Sequence, residues 1–255
     1  MCQVLMAALF PTIADHVHCV VRSMGPIDES KERYTLDCYF RQNWYDERLV
    51  YNGTSLMSEL AMNWQFLDKI WRPDTFFLNG KDSYLHKIAV PNRFIRISPD
   101  GRVTFSQRLT VSAKCKMQLR KFPLDSQVCP LEIGSFGHPS TDLQYNWADR
   151  PLRYKSRKLQ NNNIFHSMEE LSLAQYVMIN WTYGHKLYDM RRGNRSVIYL
   201  RFKFQRTLGF YFLQIYIPLT IIVMSSWVSF WLVKTDQVYQ FKLILIDFKL
   251  INDFC

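Results

Sequence analysis

Apolar and polar residues alternate in short runs along most of the chain between His16 and Phe204. A period of two is typical of half-buried β-strands. The clearest runs are Tyr34 to Phe40, Phe94 to Ser98, Val103 to Val111, Tyr176 to Tyr183 and Val197 to Phe204. Turn residues lie between runs, at Asn52-Gly53, Asn79-Gly80, Pro99-Asp100-Gly101 and Arg192-Gly193-Asn194. This pattern predicts a mainly β fold, an antiparallel β-sandwich.

A different pattern covers Phe210 to Val233, which are 24 residues without a charge. As a helix they would extend about 36 Å, enough to cross a hydrocarbon core of about 30 Å. Interfacial aromatic residues and flanking cations also favour a membrane span: Tyr211, Tyr216, Trp227, Trp231, Arg206 and Lys234. A buried helix of a soluble protein is the alternative, but it rarely needs so long an uncharged stretch. The sequence therefore predicts one transmembrane helix.

Composition excludes several classes of function. The 255 residues carry a net charge of +10, but acidic residues are interspersed, and the densest basic segment, Arg150 to Lys158, has no nucleic-acid-reading motif. No partner nucleic acid is expected. The chain also lacks the HExxH, GxSxG and phosphate-loop motifs, so we expect no enzyme activity and no cofactor. His16 and His18 could lie on one strand face as metal ligands. Alternating polar residues on an edge strand are far commoner than metal sites, so no metal is expected.

Two cysteines enclose a loop of distinctive sequence. Cys115 and Cys129 bracket thirteen residues, KMQLRKFPLDSQV. A disulfide there would require an oxidising compartment and would contribute about 3 kcal/mol in the chain-entropy model. Spacing alone does not define cysteine pairing. Cys19 and Cys38 could also approach each other on neighbouring strands.

Three N-glycosylation sequons precede the apolar segment. They begin at Asn52 (NGT), Asn180 (NWT) and Asn194 (NRS). A single sequon is common by chance. All three, however, precede the predicted span, as the Cys115 loop does, so they would lie on the same side of the membrane as a disulfide. The three asparagines are therefore candidate glycan acceptors.

Several motifs occur in an order that resembles the Cys-loop pentameric ligand-gated ion channels. They are Trp44–Asp46 (WYD), Trp71–Pro73 (WRP), Asp74–Phe77 (DTFF) and the Cys115 loop. Phe40–Arg48, Pro91–Arg93, Arg108–Val111 and Trp227–Trp231 are similar specifically to GABA-A receptor subunits. The resemblance extends from near His16 to Asp236. Vicinal cysteines, expected in an acetylcholine-binding principal subunit, are absent. No cysteine lies between positions 130 and 254, which excludes the second disulfide before the membrane of glycine-gated and glutamate-gated relatives.

This resemblance implies a disulfide between Cys115 and Cys129 and an extracellular ligand-binding β-sandwich. It implies a subunit of a GABA-gated chloride channel, a neurotransmitter receptor in the postsynaptic plasma membrane. The expected partners are GABA or a related small amino-acid transmitter, other receptor subunits in a pentamer, and membrane lipid.

The resemblance also implies a complementary-face ligand site on two strands. Residues two apart on a strand point the same way, so Tyr39 and Arg41 share a face, as do Ser106 and Arg108. These four match the aromatic, arginine, hydroxyl and arginine positions of a GABA site. A guanidinium can hold the acid end of GABA bidentately. Solvated or acid-paired surface arginines are the alternative.

The principal face departs from the family's agonist-binding pattern. Phe76 and Phe136 keep aromatic rings there, but Gly134, Ser135 and Phe136 lie where those subunits carry a glutamate and a tyrosine after the Cys loop. Arg195 occupies a position where an aromatic residue is expected, and it would repel an ammonium group. We therefore expect Phe76, Ser135 and Phe136 to form a degraded principal face.

Coupling residues are implied at the membrane-facing end of the sandwich. Phe122, Pro123 and Asp125 in the Cys loop would lie near Arg206, which precedes the apolar helix. Pro218 inside that helix removes a backbone hydrogen bond, so it predicts a local distortion.

The chain divides into four predicted segments. Residues 1–15 are a weak signal or an incomplete start, 16–208 the extracellular β-sandwich, 209–233 the transmembrane helix and 234–255 a short unrelated tail. Charges interrupt that tail at Lys242, Asp247, Lys249 and Asp253, so it predicts no second span. We expect a subunit truncated after its first membrane helix that cannot form a pore alone. The alternative is a single-pass membrane binding protein, or a dominant-negative assembly protein, without channel activity.

Overall fold

A computed structural model describes residues 13–52, 59–154, 173, 175–189 and 193–231. Within these residues the chain forms eleven β-strands in two sheets. In chain order they are β1 (Ile13–Met24), β2 (Arg33–Tyr45), β3 (Leu60–Met62), β4 (Thr75–Phe77), β5 (Tyr84–Leu85), β6 (Arg93–Ile97), β7 (Arg102–Lys114), β8 (Ser126–Ser135), β9 (Leu143–Tyr154), β10 (Tyr176–Tyr188) and β11 (Arg195–Arg206). Two short 3-10 turns cover Glu47–Leu49 and Trp64–Asp68.

The larger sheet has the order β3-β6-β7-β2-β1-β9, with β5 paired to β7, and the smaller has the order β10-β11-β8-β4. The predicted mainly β sandwich is confirmed. One pairing differs from the antiparallel expectation, because β1 and β9 run parallel, with Val17 opposite Trp147. Parallel neighbours require a long crossover, and more than a hundred residues separate these two strands. Local alternation carries no information about such a distant partner.

The alternation on β2 has a direct structural cause. Leu36, Phe40 and Trp44 are fully buried on the inner face of the larger sheet, whereas Tyr39 and Arg41 lie on its outer face. A slip of one residue would bring the polar set into the core, so the pattern specifies the register. The core itself is shared by both sheets and includes inward residues of β1, β2, β7, β8 and β11.

Cys115 and Cys129 are disulfide-bonded, as the resemblance implied. Both are buried, and the bond joins the end of β7 to β8. Cys19 and Cys38 are free thiols on adjacent strands inside the core. A hydrogen bond with Cys19 and burial raise the pKa of the Cys38 thiol.

Gly101 forms the turn between β6 and β7. Its φ is +83°, a left-handed conformation that favours glycine. A Cβ at this position would lie 2.7 Å from the Asp46 carbonyl oxygen, so the turn also needs glycine for space. The Asp46 N–H donates to the Gly101 carbonyl oxygen at 3.0 Å, and this bond holds the β6–β7 hairpin against the end of β2.

Helical structure follows β11 in three consecutive segments: α1 (Leu208–Tyr211), a π-helical turn (Phe212–Tyr216) and α2 (Ile217–Trp231). The π turn ends two residues before Pro218, near which a distortion was expected, because proline offers no N–H to the helix. Among the helices that the described residues form, none is long and apolar enough to cross a membrane. Part of the predicted span and the whole predicted tail lie outside those residues, as does most of segment 1–15.

A buried polar network crosses the interior near β4. The Gln42 amide nitrogen donates to Asp15 Oδ2 at 2.5 Å and to Thr75 Oγ1 at 2.6 Å. Thr75 Oγ1 also lies 3.0 Å from the Tyr145 hydroxyl. Asp15 Oδ1 is buried without a hydrogen-bond partner in the described part of the chain. Burial raises the pKa of Asp15 to about 7, against the opposing effect of the Gln42 hydrogen bond.

The Asp15 carboxyl should therefore make stability depend on pH. Unfolded Asp15 titrates near 3.8 and folded Asp15 near 7. Between these values the folded chain binds one more proton, so the free energy of unfolding falls as pH rises through the window. Asp15→Asn removes this titration. We compare the free energy of unfolding of the variant with that of the native chain, and we expect this difference to be about 3–4 kcal/mol larger above pH 7 than at pH 4.

Chemical denaturation between pH 4 and 8 measures this difference. Asp149→Asn is the matched control, since Asp149 is exposed on β9. The control should follow the native curve. A constant offset between the Asp15→Asn and native curves across the range would contradict a raised Asp15 pKa.

Candidate functional site

The outer face of β2 and β7 brings together the four residues expected on a complementary face. Tyr39 lies directly opposite Arg108, and Arg41 lies directly opposite Ser106. Facing residues on antiparallel strands have Cβ atoms about 4.5–5.5 Å apart, so the four side chains are neighbours. We call this group the outer-face patch: Tyr39, Arg41, Ser106 and Arg108.

The two arginines of the outer-face patch are not equivalent. The Arg108 guanidinium donates to both oxygens of Asp37, at 3.3 and 2.9 Å, and this pairing raises the pKa of Arg108. His86 Nε2 lies 3.7 Å from Asp37 Oδ1, the oxygen that also accepts from Arg108 Nε. Within the residues that the structure describes, Arg41 has no acidic partner, and its Nε is buried without a hydrogen bond. The uncompensated positive charge of the patch is therefore that of Arg41.

Aromatic rings border this charge. The Arg22 guanidinium lies over the Tyr39 ring, 5.6 Å from its centroid. Phe94 on β6 is opposite Ser106 and is partly exposed. A cation beside aromatic rings and a hydroxyl suits a small anion with an apolar stem.

The residues expected on the principal face lie on the other sheet. Phe76 and Phe136 are 37% and 68% exposed, and their rings meet edge to face at 5.6 Å. Ser135 is buried instead, because its hydroxyl donates to Asp74 Oδ1 at 2.6 Å. Asp74 also accepts from the Gly137 N–H at 2.6 Å. Ser135 therefore anchors the segment that presents the two rings and does not line an exposed face.

Gly134 occupies a position with no room for a larger side chain. A Cβ there would lie 2.9 Å from Val197 Cγ2 and 3.1 Å from the Ser196 carbonyl oxygen. A glutamate at 134 would require β8 and β11 to shift apart. Arg195 lies at the start of β11 opposite Tyr188, while Arg192 lies outside the described residues.

Arg206 at the end of β11 forms the most connected polar cluster of the described chain. It donates to Asp125 Oδ1 at 2.6 Å and to Asp125 Oδ2 at 3.0 Å, and it also pairs with Glu29. The Tyr211 hydroxyl at the start of the helix lies 2.6 Å from Arg206 Nη1. The guanidinium also lies 4.7 Å from the ring centroid of Phe122. Arg206 thus contacts the Cys loop, the β1–β2 connection and the helix.

The charges of this cluster stabilise one another. Burial opposes the charge of Arg206, but hydrogen bonds with Asp125 and Glu29 outweigh it and raise the pKa of the guanidinium. Burial likewise opposes ionised Asp125, and bonds from Arg206 and Gln127 lower its pKa overall. Both groups stay charged at neutral pH. At the loop tip, the Phe122 ring packs edge to face against the Tyr211 ring, with centroids 5.1 Å apart, and a cis peptide bond joins Phe122 to Pro123.

A family model described as the neurotransmitter-gated ion-channel ligand binding domain matches residues 12–208. The chain belongs to this family. It is also 37% identical over 214 residues to the gamma-aminobutyric acid receptor subunit alpha-6 of Gallus gallus. That match covers 84% of this chain and 44% of the relative, so the chain spans less than half of that protein's length.

The resemblance to Cys-loop, GABA-A-like subunits is thus confirmed for this ligand-binding domain. The relative is named a receptor subunit, a class distinct from enzymes. The three candidate glycan acceptors, Asn52, Asn180 and Asn194, are exposed. Glycosylation at each stays a prediction, and two residues of the first sequon lie outside the described residues.

Sequence patterns missed three members of the Arg206 cluster. Glu29 lies 177 residues from Arg206 in the chain, and no periodicity relates such positions. Tyr176 stacks under the guanidinium, with its ring centroid 4.6 Å away. Tyr211 was expected only as an interfacial aromatic. A tyrosine at the start of an apolar helix carries a hydroxyl that needs a hydrogen-bond partner, and this feature of the sequence could have indicated its place in the cluster.

Removal of the Arg206 guanidinium should destabilise this ligand-binding domain severely. Arg206→Ala leaves Asp125 and Glu29 without their shared cation, and breaking a buried ion pair in this way costs about 3–5 kcal/mol. Thermal and denaturant unfolding of the whole chain in detergent would measure the loss. Lys203→Ala is the matched control, because Lys203 is an exposed cation on the same strand. Similar losses for the two variants would show that the cluster adds no stability.

Proposed function

We propose that this chain is a subunit of a GABA-gated chloride channel and that its outer-face patch supplies the complementary half of a GABA site between two subunits. The observation that carries this proposal is the cross-strand group of Tyr39, Arg41, Ser106 and Arg108, in which Arg41 has no acid partner among the described residues. The likeness to a gamma-aminobutyric acid receptor subunit supports the choice of transmitter.

The chemistry of the patch fits the acid end of GABA. The Arg41 guanidinium would hold the carboxylate through paired N–H donors, and the Ser106 hydroxyl would donate a further hydrogen bond. The Tyr39 ring would pack against the methylene groups. Arg108 is already paired with Asp37, so it would shape the site and contribute less binding free energy than Arg41.

The ammonium end of GABA would be bound by the neighbouring subunit. On this chain Phe76 and Phe136 retain aromatic faces, but Gly134 provides no carboxylate and Arg195 adds a repelling charge. Only a second subunit in the pentamer would then complete the site. This subunit therefore acts on one side of a ligand interface.

The domain would lie outside the postsynaptic plasma membrane, with residues 209–233 crossing the lipid. The Cys115–Cys129 disulfide supports an oxidising compartment, and helical structure continues from Leu208 to Trp231. The Arg206 cluster lies where β11 passes into this helix. A shift of the Cys loop on transmitter binding would reach the helix through Arg206 and Tyr211.

Arg41→Ala should weaken GABA binding more than Arg108→Ala. A hydrogen bond to a charged group contributes about 1.5–3 kcal/mol, so the Arg41 change predicts at least about a tenfold rise in Kd. Equilibrium binding of labelled GABA to receptors assembled from this chain and full-length relatives would measure it. Arg33→Ala is the control, since Arg33 is on the same strand face but is paired with Asp28 and Asp82.

Two results would decide against this role. Unchanged GABA binding for both Arg41→Ala and Arg108→Ala would reduce the outer-face patch to ordinary surface arginines. Lowered current from co-expressed subunits, with no effect of either variant on binding, would favour a protein that acts through assembly alone.

A further inference from the structure

One row of side chains across the larger sheet contains three buried polar atoms without partners. His18 on β1 lies opposite Arg41, and Arg41 lies opposite Ser106. His18 Nε2, Arg41 Nε and Ser106 Oγ are each buried and make no hydrogen bond to any described residue. Buried polar groups are normally paired, so three exceptions in one row call for an explanation. The row extends the outer-face patch by one strand, to His18.

The state of the His18 ring follows from its contacts. His18 makes a hydrogen bond with the backbone of Arg150 that favours the protonated ring, so the acceptor is the carbonyl oxygen. Since Nε2 has no partner, Nδ1 is the donor. In the neutral ring Nε2 then carries only a lone pair. It cannot donate to a carboxylate until it gains a proton.

The charges around His18 oppose that proton. Burial is the largest effect, and Arg153 on β9 and Arg41 on β2 add repulsion, so the pKa of His18 falls from 6.5 to about 4. A carboxylate placed beside Arg41 would offset the repulsion from both arginines. It would also give a protonated Nε2 an acceptor. An acid ligand and a proton on His18 would therefore stabilise each other.

We propose that His18 is a further ligand-binding residue of the outer-face patch and that it takes up a proton when the acid end of the transmitter binds beside Arg41. This inference rests on the proposed GABA site. It makes the site selective for acids, because a neutral ligand gives the protonated ring no compensation.

Binding should then strengthen as pH falls. If His18 titrates near 6.5 in the complex, the Kd for GABA falls about tenfold between pH 7.5 and 5.5, because the complex holds a proton that the free site lacks. His18→Gln should bind GABA with a Kd that stays constant over this range. His16→Gln and His86→Gln should keep the native pH dependence. His16 is exposed on β1, and His86 contacts Asp37 behind Arg108.

The experiment measures the Kd for GABA at pH 5.5, 6.5 and 7.5 in assembled receptors that contain the native chain or each variant. Calorimetry of the native chain in buffers of different ionisation enthalpy counts the protons taken up, without any substitution. Net proton uptake that His18→Gln abolishes would support the proposal. A pH-independent Kd in the native chain, or a dependence lost only in His86→Gln, would overturn it while leaving the GABA site intact. Absence of GABA binding at every pH would overturn both.

Discussion

The β-domain and the helix that follows it meet at the buried guanidinium of Arg206. A cation removed from water is tolerated only where acids and hydrogen-bond acceptors surround it, and here Asp125 and Glu29 come from two distant connections. Their pairing with one group requires the Cys loop, the β1–β2 connection and the end of β11 to converge. Tyr211 extends the same cluster into the first helical turn. These parts therefore share one set of hydrogen bonds and ion pairs, as the proposed coupling between the Cys loop and the helix requires.

The two faces of the domain differ because of close packing as well as charge. On the larger sheet, cross-strand pairing places Tyr39 and Ser106 beside Arg41, whose charge no described acid neutralises. On the smaller sheet, Gly134 lies so close to Val197 that a charged side chain cannot replace it without moving the strands. Both features agree with the proposed role of this domain on one side of a transmitter interface.

Two buried titratable side chains on β1 have pKa values shifted by their surroundings. Asp15 is held by Gln42 with one oxygen unpaired, and its pKa lies near neutral pH. His18, on the opposite side of the same strand, is kept neutral by burial and two arginines. Burial favours the neutral form of both groups, which keeps the Asp15 carboxyl protonated to a higher pH and the His18 ring unprotonated to a lower one. β1 therefore connects the core network near β4 with the proposed acid site.

The sequence by itself determined the strands with strong alternation, the parity of the four patch residues and the loop that contains the disulfide, because these depend on neighbours along one chain. The runs predicted from alternation did not include β8 and β9, which carry Pro130 and Pro151. Only the tertiary structure decided that β1 pairs in parallel with β9. It also decided that Asp37 neutralises Arg108 and not Arg41, and that His18 lies beside the outer-face patch. The ion pair between Glu29 and Arg206 was likewise decided by the tertiary structure. Such contacts join residues far apart in the chain, and their energies depend on burial and charge, which local periodicity does not encode.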